Sequence, residues 1–147
     1  MRVSTKFRYG LRAMVDLAYH ESEGPVLVKH IAERQAISKK YLDNLLVSLK
    51  NAGLLRSVRG AKGGYSLAKP VSKITVEDIA VALEGSPTLV DCVADSAICS
   101  RVTICPTIEF WRSMSEVLGN FMRNTSLEDL VRNSREKQAR ESKMYFL

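Results

Sequence analysis

The chain has 147 residues, of which 46% are hydrophobic and 26% charged, a composition typical of one globular domain and not of a disordered protein. No uncharged apolar run approaches the roughly 18 residues that span a bilayer, and charged residues occupy the segment where a signal peptide needs its apolar stretch. We therefore expect a cytoplasmic protein with no membrane partner, whose cysteines stay reduced.

The charge is divided unevenly along the chain. Residues 1–75 hold 14 Lys and Arg against 5 Asp and Glu, a net charge of +9, whereas residues 76–147 hold 8 against 11, a net charge of −3. A basic half joined to a mildly acidic half is typical of a polyanion-binding head on a regulatory or dimerising body. The alternative is an ordinary solvated surface.

Three helices are predicted in the basic half. The first begins at Ser4 or Thr5 and ends before Gly24, and a short second helix spans residues 29–34. Ser38 is a good N-cap for the third helix, which is predicted to run to about residue 52. Two helices of this length joined by a short turn form a helix-turn-helix pattern.

Two short alternating strands follow, residues 54–58 and 65–68, and they predict a β-hairpin. A hairpin directly after a helix-turn-helix indicates a winged helix-turn-helix. Arg59 and Lys62 lie at its tip among glycines, where the backbone turns sharply. A nucleotide-binding loop is the competing interpretation, and it fails because the G-x-x-x-x-G-K-[ST] spacing is absent.

The second half is predicted to hold a helix over residues 75–84, opened by a capping box of Thr75 and Asp78, and a long helix from 108 to 124. The long helix has a wide apolar stripe that suggests a second subunit as its cover, with packing on the chain's own head as the alternative. A short last helix is predicted to end at about residue 132. The polar segment that follows is expected to be mobile and to end in Met144, Tyr145, Phe146 and Leu147.

All three cysteines, Cys92, Cys99 and Cys105, fall within one stretch of fourteen residues. Three thiolates make an incomplete site for either zinc or an iron–sulfur cluster, and no fourth ligand is evident. The other interpretations are a thiol switch without metal, which Arg101 could favour, a zinc site, and three cysteines with no sensing role. No acid–base pair stands out, so an enzyme is not expected.

Several segments together follow one pattern: Ser4-Thr5-Lys6-x-Arg8-Tyr9-Gly10-Leu11, the block from Ile37-Ser38 through Val58-Arg59-Gly60-x-x-Gly63-Gly64-Tyr65, the helix containing Trp111, and Thr125-Ser126-Leu127-Glu128-Asp129-Leu130. This pattern resembles the Rrf2 family of bacterial winged-helix transcription regulators. The resemblance implies a mainly α fold with a small β-hairpin wing. It also implies a homodimer that acts as a repressor on a palindromic operator in double-stranded DNA.

The resemblance also suggests the parts of the chain: a DNA-binding region at 1–85, a cysteine-containing sensor loop at 86–106, a dimerisation helix with a short capping helix at 107–132, and a tail at 133–147. The recognition helix would enter the major groove and Arg59 the minor groove. The expected DNA-binding residues are Ser38, Lys39, Lys40, Tyr41, Asp43, Asn44, Arg59 and Lys62. Asp43 could accept from cytosine N4 or pair with Lys39 one turn earlier.

Family members that sense iron, nitric oxide or redox state bind a [2Fe–2S] or [4Fe–4S] cluster on three cysteines of this loop, which correspond to Cys92, Cys99 and Cys105. The fourth ligand is unknown here. Ile108 stands where some members have a histidine, and Arg8 stands where others have an acid on the first helix of the opposite subunit. The remaining candidates are Asp91, Asp95, Glu109, His30 and an exogenous ligand or water. The tail is similar to that of the cysteine-metabolism repressor branch, which implies cysteine synthase as an alternative partner of residues 144–147. Docking of these residues on the chain's own dimer is the other interpretation.

Overall fold

The computed structural model describes residues 2–146 and is mainly helical, with one two-stranded antiparallel hairpin among those residues. Its elements are α1 (Thr5–Tyr19), α2 (Val28–Gln35), α3 (Lys39–Asn51), β1 (Leu55–Val58), β2 (Gly64–Leu67), α4 (Val76–Glu84), α5 (Asp91–Ala94), α6 (Ile108–Arg123) and α7 (Leu127–Tyr145). This architecture confirms the predicted fold class.

One apolar core holds α1, α2 and α3 together. Each of these helices is apolar on one side only, so the buried sides converge and the charged sides remain in water. The side chains with almost no exposure are Met14, Leu17, Ile31, Leu42, Leu45, Leu46, Leu49, Ile74, Ile79 and Leu127. The turn between α2 and α3 is closed by Ala36, whose left-handed conformation ends α2.

The base of the hairpin packs against α1 and α3. Together with α2, these elements form the head of the molecule. Its register runs from Leu55 opposite Leu67 to Val58 opposite Gly64. Tyr65 exchanges two backbone hydrogen bonds with Val26, at 2.8 and 2.9 Å, and so joins the hairpin to the segment before α2. Gly64 has a φ of 136°, and a Cβ there would lie 2.4 Å from the Val26 carbonyl oxygen. Only glycine therefore allows this approach.

The second half is attached to the head by two capped helices. The predicted capping box of Thr75 and Asp78 opens α4, and a second box of Ser126 and Asp129 opens α7. The two starts are joined, because the amide of Val76 donates to the Thr125 carbonyl oxygen at 2.9 Å. The amide of Leu127 in turn donates to the Ile74 carbonyl oxygen at 2.8 Å. α7 also packs on α1, and α6 packs on α4.

The predicted end of the last helix at about residue 132 is wrong. The helix α7 continues to Tyr145. Residues 127–145 contain neither Gly nor Pro and are rich in strong helix formers. The extension also rests on α1, where the Tyr19 hydroxyl donates to Gln138 Oε1 at 2.6 Å and the Arg135 guanidinium lies 5.5 Å from the Tyr19 ring centre. The polarity of this segment therefore did not mark the end of the helix.

Candidate nucleic-acid interface and cysteine loop

The helix α3 presents a polar face to solvent. Its four leucines are buried, whereas Lys39, Lys40 and Asn44 are exposed on the other side. Ser38 caps the helix as predicted, since its hydroxyl accepts from the Tyr41 amide at 3.2 Å. The backbone donors and the lysines at this end of the helix both favour an anion.

The exposed face of α3 lies between the hairpin and the first helix. On one flank, Lys50 Nζ donates to Ser57 Oγ of β1 at 2.8 Å. On the other flank, the Tyr41 ring meets the Tyr9 ring of α1 edge-on, with ring centres 5.9 Å apart. The polar face of α3 is thus a surface bordered by the hairpin on one side and by α1 on the other.

The tip of the hairpin carries Arg59 and Lys62, and both side chains are exposed. Neither forms an ion pair within residues 2–146. The turn is closed by glycines: the Gly63 amide donates to the Gly60 carbonyl oxygen at 3.0 Å, and a Cβ at Gly63 would lie 2.3 Å from a backbone oxygen. The two cations therefore project from a compact turn and are available to an anionic partner.

Asp43 pairs with Lys39, at 3.0 Å between Nζ and Oδ2. This pair is the local alternative that the spacing allowed, and both side chains are about half exposed. Such a surface pair contributes only about 0–1 kcal/mol to stability, so a base edge or a phosphate can compete for either partner.

A network that sequence reasoning missed fixes the turn before α3. The Asp16 carboxylate of α1 is buried and accepts from Arg34 Nε at 2.9 Å, from Arg34 Nη2 at 2.6 Å and from Gln35 Nε2 at 2.9 Å. The hydrogen bonds to Asp16 raise the pKa of Arg34. Arg12 in turn donates to both the side chain and the carbonyl oxygen of Gln35. The sequence signal for this network was Asp16, an acid on the apolar side of the predicted first helix.

The three cysteines lie on separate turns of the segment between α4 and α6. Cys92 is in α5, Cys99 follows a 3₁₀ turn at Ser96–Ile98, and Cys105 follows another at Val102–Ile104 and precedes α6. All three are free and partly buried. Within residues 2–146, no three His, Cys, Asp or Glu side chains converge as a metal site requires. The donors are of the type that an iron–sulfur cluster takes, but the segment would have to close around it.

Cys105 has the most distinctive surroundings of the three. Its sulfur lies 3.4 Å from Thr107 Oγ1, at the start of α6. Hydrogen bonds from the Thr107 hydroxyl and from the backbone amides of Thr107 and Ile108, with the charge of Arg101, lower the pKa of the Cys105 thiol. This thiol is therefore predisposed to the thiolate form that binds metals and attacks disulfides.

The candidates for a fourth ligand differ in their present partners. Asp95 Oδ1 accepts from the Ala97 amide at 2.9 Å, and Glu109 is paired with Arg112. Asp91, at the start of α5 beside Cys92, forms no ion pair or side-chain hydrogen bond within residues 2–146. His30 belongs to α2 and not to the cysteine segment.

The helix α6 packs on the rest of the chain with a narrow face of Ile108, Ser115 and Gly119. Its opposite side exposes large apolar residues, namely Phe110, Val117, Leu118 and Phe121. Met144, Tyr145 and Phe146 are also exposed at the end of α7, and Leu147 lies outside the described residues. Among residues 2–146, none of the helices combines the length and the hydropathy of a membrane span.

The head has the architecture of a winged-helix DNA-binding protein, with α2 and α3 as the helix-turn-helix and the hairpin as the wing. A model of the Rrf2 family, described as an iron-dependent transcriptional regulator, matches residues 3–133. The chain therefore belongs to the Rrf2 family of transcription regulators and is not an enzyme.

Individual relatives agree with this assignment. The protein Rrf2 of Nitratidesulfovibrio vulgaris is 39% identical over 91% of this chain and 89% of its own length. The regulator IscR of Photorhabdus laumondii is 41% identical over 90% of this chain and 80% of its own. Among solved structures, CymR, the global cysteine regulator of B. subtilis, has a TM-score of 0.75 at 37% identity over 90% of this chain and 98% of that one. T. potens IscR has a TM-score of 0.74 at 40% identity, with coverage of 94% and 91%.

Proposed function

We propose that this regulator is a homodimeric repressor that reads a palindromic operator with α3 and the wing, residues 1–85 being the DNA-binding part. The observation that carries the proposal is the exposed polar face of α3, which lies beside a wing with two unpaired cations within residues 2–146. Lys39, Lys40 and the capped helix start favour phosphates, whereas Asp43 and Asn44 lie one turn further along, where base edges are read.

The wing provides the sharpest test of DNA binding. Arg59→Ala should weaken binding to an operator selected by the protein from a random library by about 1–3 kcal/mol, the value of one good groove contact. Arg140→Ala, which removes the same charge from the far part of α7, is the matched control and should bind normally. Equal affinities of the two variants at matched salt would contradict the role given to the wing.

The proposed dimer interface is the exposed apolar side of α6, within residues 107–132. Phe110, Val117 and Phe121 are each more than half exposed, and burying such side chains gains about 1.5–3 kcal/mol each. Phe121→Glu should convert a dimer into a monomer in light scattering after gel filtration, whereas Ser142→Glu, which adds the same charge to α7, should not. A wild-type monomer at micromolar concentration would exclude this arrangement.

The sensing part is the segment 86–106. Cys92, Cys99 and Cys105 would hold an iron–sulfur cluster, [2Fe–2S] or [4Fe–4S], with a fourth ligand that is not yet identified. When bound, such a cluster supplies a redox-active centre that oxygen or nitric oxide can alter. The chain contributes thiolates on separate turns just before α6, so that drawing them together would pull on the start of this helix.

Absorption and electron paramagnetic resonance spectra, with iron and sulfide analysis of anaerobically purified protein, test the cluster directly. Serine substitution of Cys92, Cys99 and Cys105 together is the control and should abolish the signal. Colourless, iron-free protein from iron-replete anaerobic cells would refute the cluster and leave DNA binding untouched.

A thiol switch without metal is the alternative that Cys105 favours, because its sulfur accepts hydrogen bonds at the start of α6. Hydrogen peroxide, which oxidises the Cys105 thiolate to a sulfenic acid and is itself reduced to water, should then change operator affinity in iron-free protein, and Cys105→Ser should remove the change. An unchanged affinity after complete oxidation would exclude the switch.

A second alternative is control by a protein such as cysteine synthase through Met144, Tyr145, Phe146 and Leu147. The exposure of the first three side chains supports it. Since α7 is helical to Tyr145, a partner that takes an extended C-terminal peptide must unwind its last turn. Deleting residues 144–147 should abolish binding to cysteine synthase in calorimetry, and unchanged binding would refute this role.

A further inference from the structure

A groove separates α1 from α7, and the DNA-binding, dimerisation and sensing parts proposed above give it no role. We propose that this groove is a binding site for a small carboxylate with a short aliphatic chain, and that this ligand regulates operator binding. Arg12 and Lys137 hold the carboxylate, and Leu11, Val15 and Leu130 contact the chain. The binding site stands on its own contacts, whereas the regulatory part rests on the proposed DNA-binding function.

The groove has a volume of about 400 Å³, which is within the usual range of small-molecule sites. Its walls are α1 and α7, and contacts fix these helices on one another at both ends. At one end, the Tyr19 hydroxyl donates to Gln138 Oε1 at 2.6 Å. At the other end, Leu127 of α7 is fully buried in the core, and its amide donates to the Ile74 carbonyl oxygen at 2.8 Å. The groove is therefore a fixed feature of the fold.

The floor of the groove is apolar. It is lined by Leu11, Val15 and Leu130, which are only partly buried, so that some of their apolar surface faces water. Leu11 and Val15 lie four residues apart, a rise of about 6 Å along α1, which matches the length of a short aliphatic chain. A ligand with such a chain would remove this surface from water, which is favourable.

Arg12 carries a charge that no acid within residues 2–146 neutralises by an ion pair. Its Nε donates to Gln35 Oε1 at 3.2 Å, its Nη2 donates to the Gln35 carbonyl oxygen, and the guanidinium lies 5.4 Å from the Tyr9 ring centre. The acid of the same network, Asp16, is already paired with Arg34. A guanidinium has five N–H donors, so Arg12 is held in place with donors left over for a carboxylate.

Lys137 supplies a second cation from the opposite wall. It is exposed, forms no ion pair within residues 2–146 and lines the same groove. No Asp or Glu of the described residues lines the groove, whereas Asn133 and Ser134 add neutral polar groups. Arg8 lines its outer end, which the family resemblance places toward the opposite subunit, and is not part of the proposed site. Cations above an apolar floor favour an anion with an aliphatic part over a neutral or purely polar molecule.

The site is connected to the recognition helix through Gln35. Gln35 is the last residue of α2, and the turn that follows it leads into α3. Arg12 also lies over Tyr9, whose ring meets Tyr41 in the first turn of α3. A bound carboxylate would neutralise positive charge close to the surface that meets DNA, so we expect it to weaken operator binding.

Isothermal titration calorimetry of the full chain with sodium hexanoate tests the site. Hexanoate should bind saturably, with one site per chain. Hexanol and sodium acetate are the comparison probes, because hexanol lacks the charge and acetate lacks the chain. Each should bind at least about tenfold more weakly than hexanoate, since each loses one of the two kinds of contact.

Variants locate the ligand. The double variant Arg12→Gln, Lys137→Gln should weaken hexanoate binding by at least about tenfold, because it removes both charged donors. Leu130→Asn should also weaken it, through the floor of the groove. The matched control is Arg140→Gln, Lys143→Gln, which removes the same charge from a part of α7 outside the groove and should leave hexanoate binding unchanged. Circular dichroism and thermal unfolding confirm that each variant is folded.

Fluorescence anisotropy with a labelled duplex, selected by wild type from a random library, tests the regulatory part at constant ionic strength. Saturating hexanoate should weaken binding of wild type by at least about fivefold and should not affect the Arg12, Lys137 double variant. The duplex should weaken hexanoate binding by the same factor, because coupling between two sites is reciprocal.

Several results would overturn the inference. Absence of saturable hexanoate binding to wild type would exclude the site, and so would unchanged binding in the Arg12, Lys137 double variant. Equal binding of hexanol or acetate would exclude the ligand class. Unchanged operator affinity at saturating hexanoate would exclude the regulatory part. If wild type bound no duplex at all, the proposed DNA-binding function would fail, whereas calorimetry would still decide whether the site exists.

Discussion

Asp16→Asn should destabilise the head more than any exposed charge substitution. The wild-type carboxylate is 3% exposed and accepts three hydrogen bonds, two from Arg34 and one from Gln35. Asparagine keeps the shape but turns an NH₂ group toward donors and leaves the Arg34 charge without its partner. Breaking a buried ion pair costs about 3–5 kcal/mol.

The lower end of that range applies here, because the Arg34 side chain is 35% exposed and water can solvate part of its charge. A loss of about 3 kcal/mol corresponds to a decrease in melting temperature of roughly 10 °C for a chain of this size. Urea unfolding followed by circular dichroism measures the free energy. Operator affinity should also fall, since Gln35 precedes the turn that orients α3.

Asp43→Asn is the matched control, because it makes the same chemical change in the exposed pair with Lys39. It should change the free energy of unfolding by less than about 1 kcal/mol. If the two variants had equal stabilities, the buried network would not anchor α2 to α1, and the reasoning would be refuted. A double-mutant cycle with Arg34→Met then isolates the energy of the pair itself.

Gly64→Ala should lower the free energy of unfolding by at least about 1 kcal/mol more than Gly60→Ala. Both glycines have a positive φ, but only Gly64 lies against a backbone oxygen. Equal losses in chemical unfolding would show that the base of the wing can shift. Hydrogen bonds from the Ser126 amide and hydroxyl and from Arg132 lower the pKa of Asp129. The ionised carboxylate therefore stabilises the fold above the ordinary Asp pKa of about 3.9, and this stabilisation is lost as the pH falls through the lowered pKa. Unfolding measured against pH should therefore be steeper below pH 4 in wild type than in Asp129→Asn, and identical slopes would contradict this linkage. Thr107→Val should raise the pH at which Cys105 is half-alkylated by iodoacetamide in iron-free protein, since it removes the hydroxyl that most lowers the thiol pKa; an unchanged midpoint would assign the shift to the backbone amides.

Most of the secondary structure could be predicted because its signals are local. Ser38 caps α3, Thr75 and Asp78 form a capping box, and Gly53 follows the end of the recognition helix, as their residue types indicate. The end of α7 could not be predicted in this way. Residues 133–143 are polar apart from Ala139, so their helicity depends on propensity and on contacts with Tyr19, which lies far away in sequence.

The winged-helix class, the basic head and the cluster of three cysteines could be predicted because helix caps, apolar periodicity and charge can be read from neighbouring residues. The surfaces that surround α3 depend instead on packing between distant segments. Tyr9 meets Tyr41, and Asp16 meets Arg34, across 32 and 18 residues of chain. Such pairings depend on how whole helices pack, and no local pattern encodes them. The same packing leaves one side of α6 exposed and keeps the three thiols on separate turns.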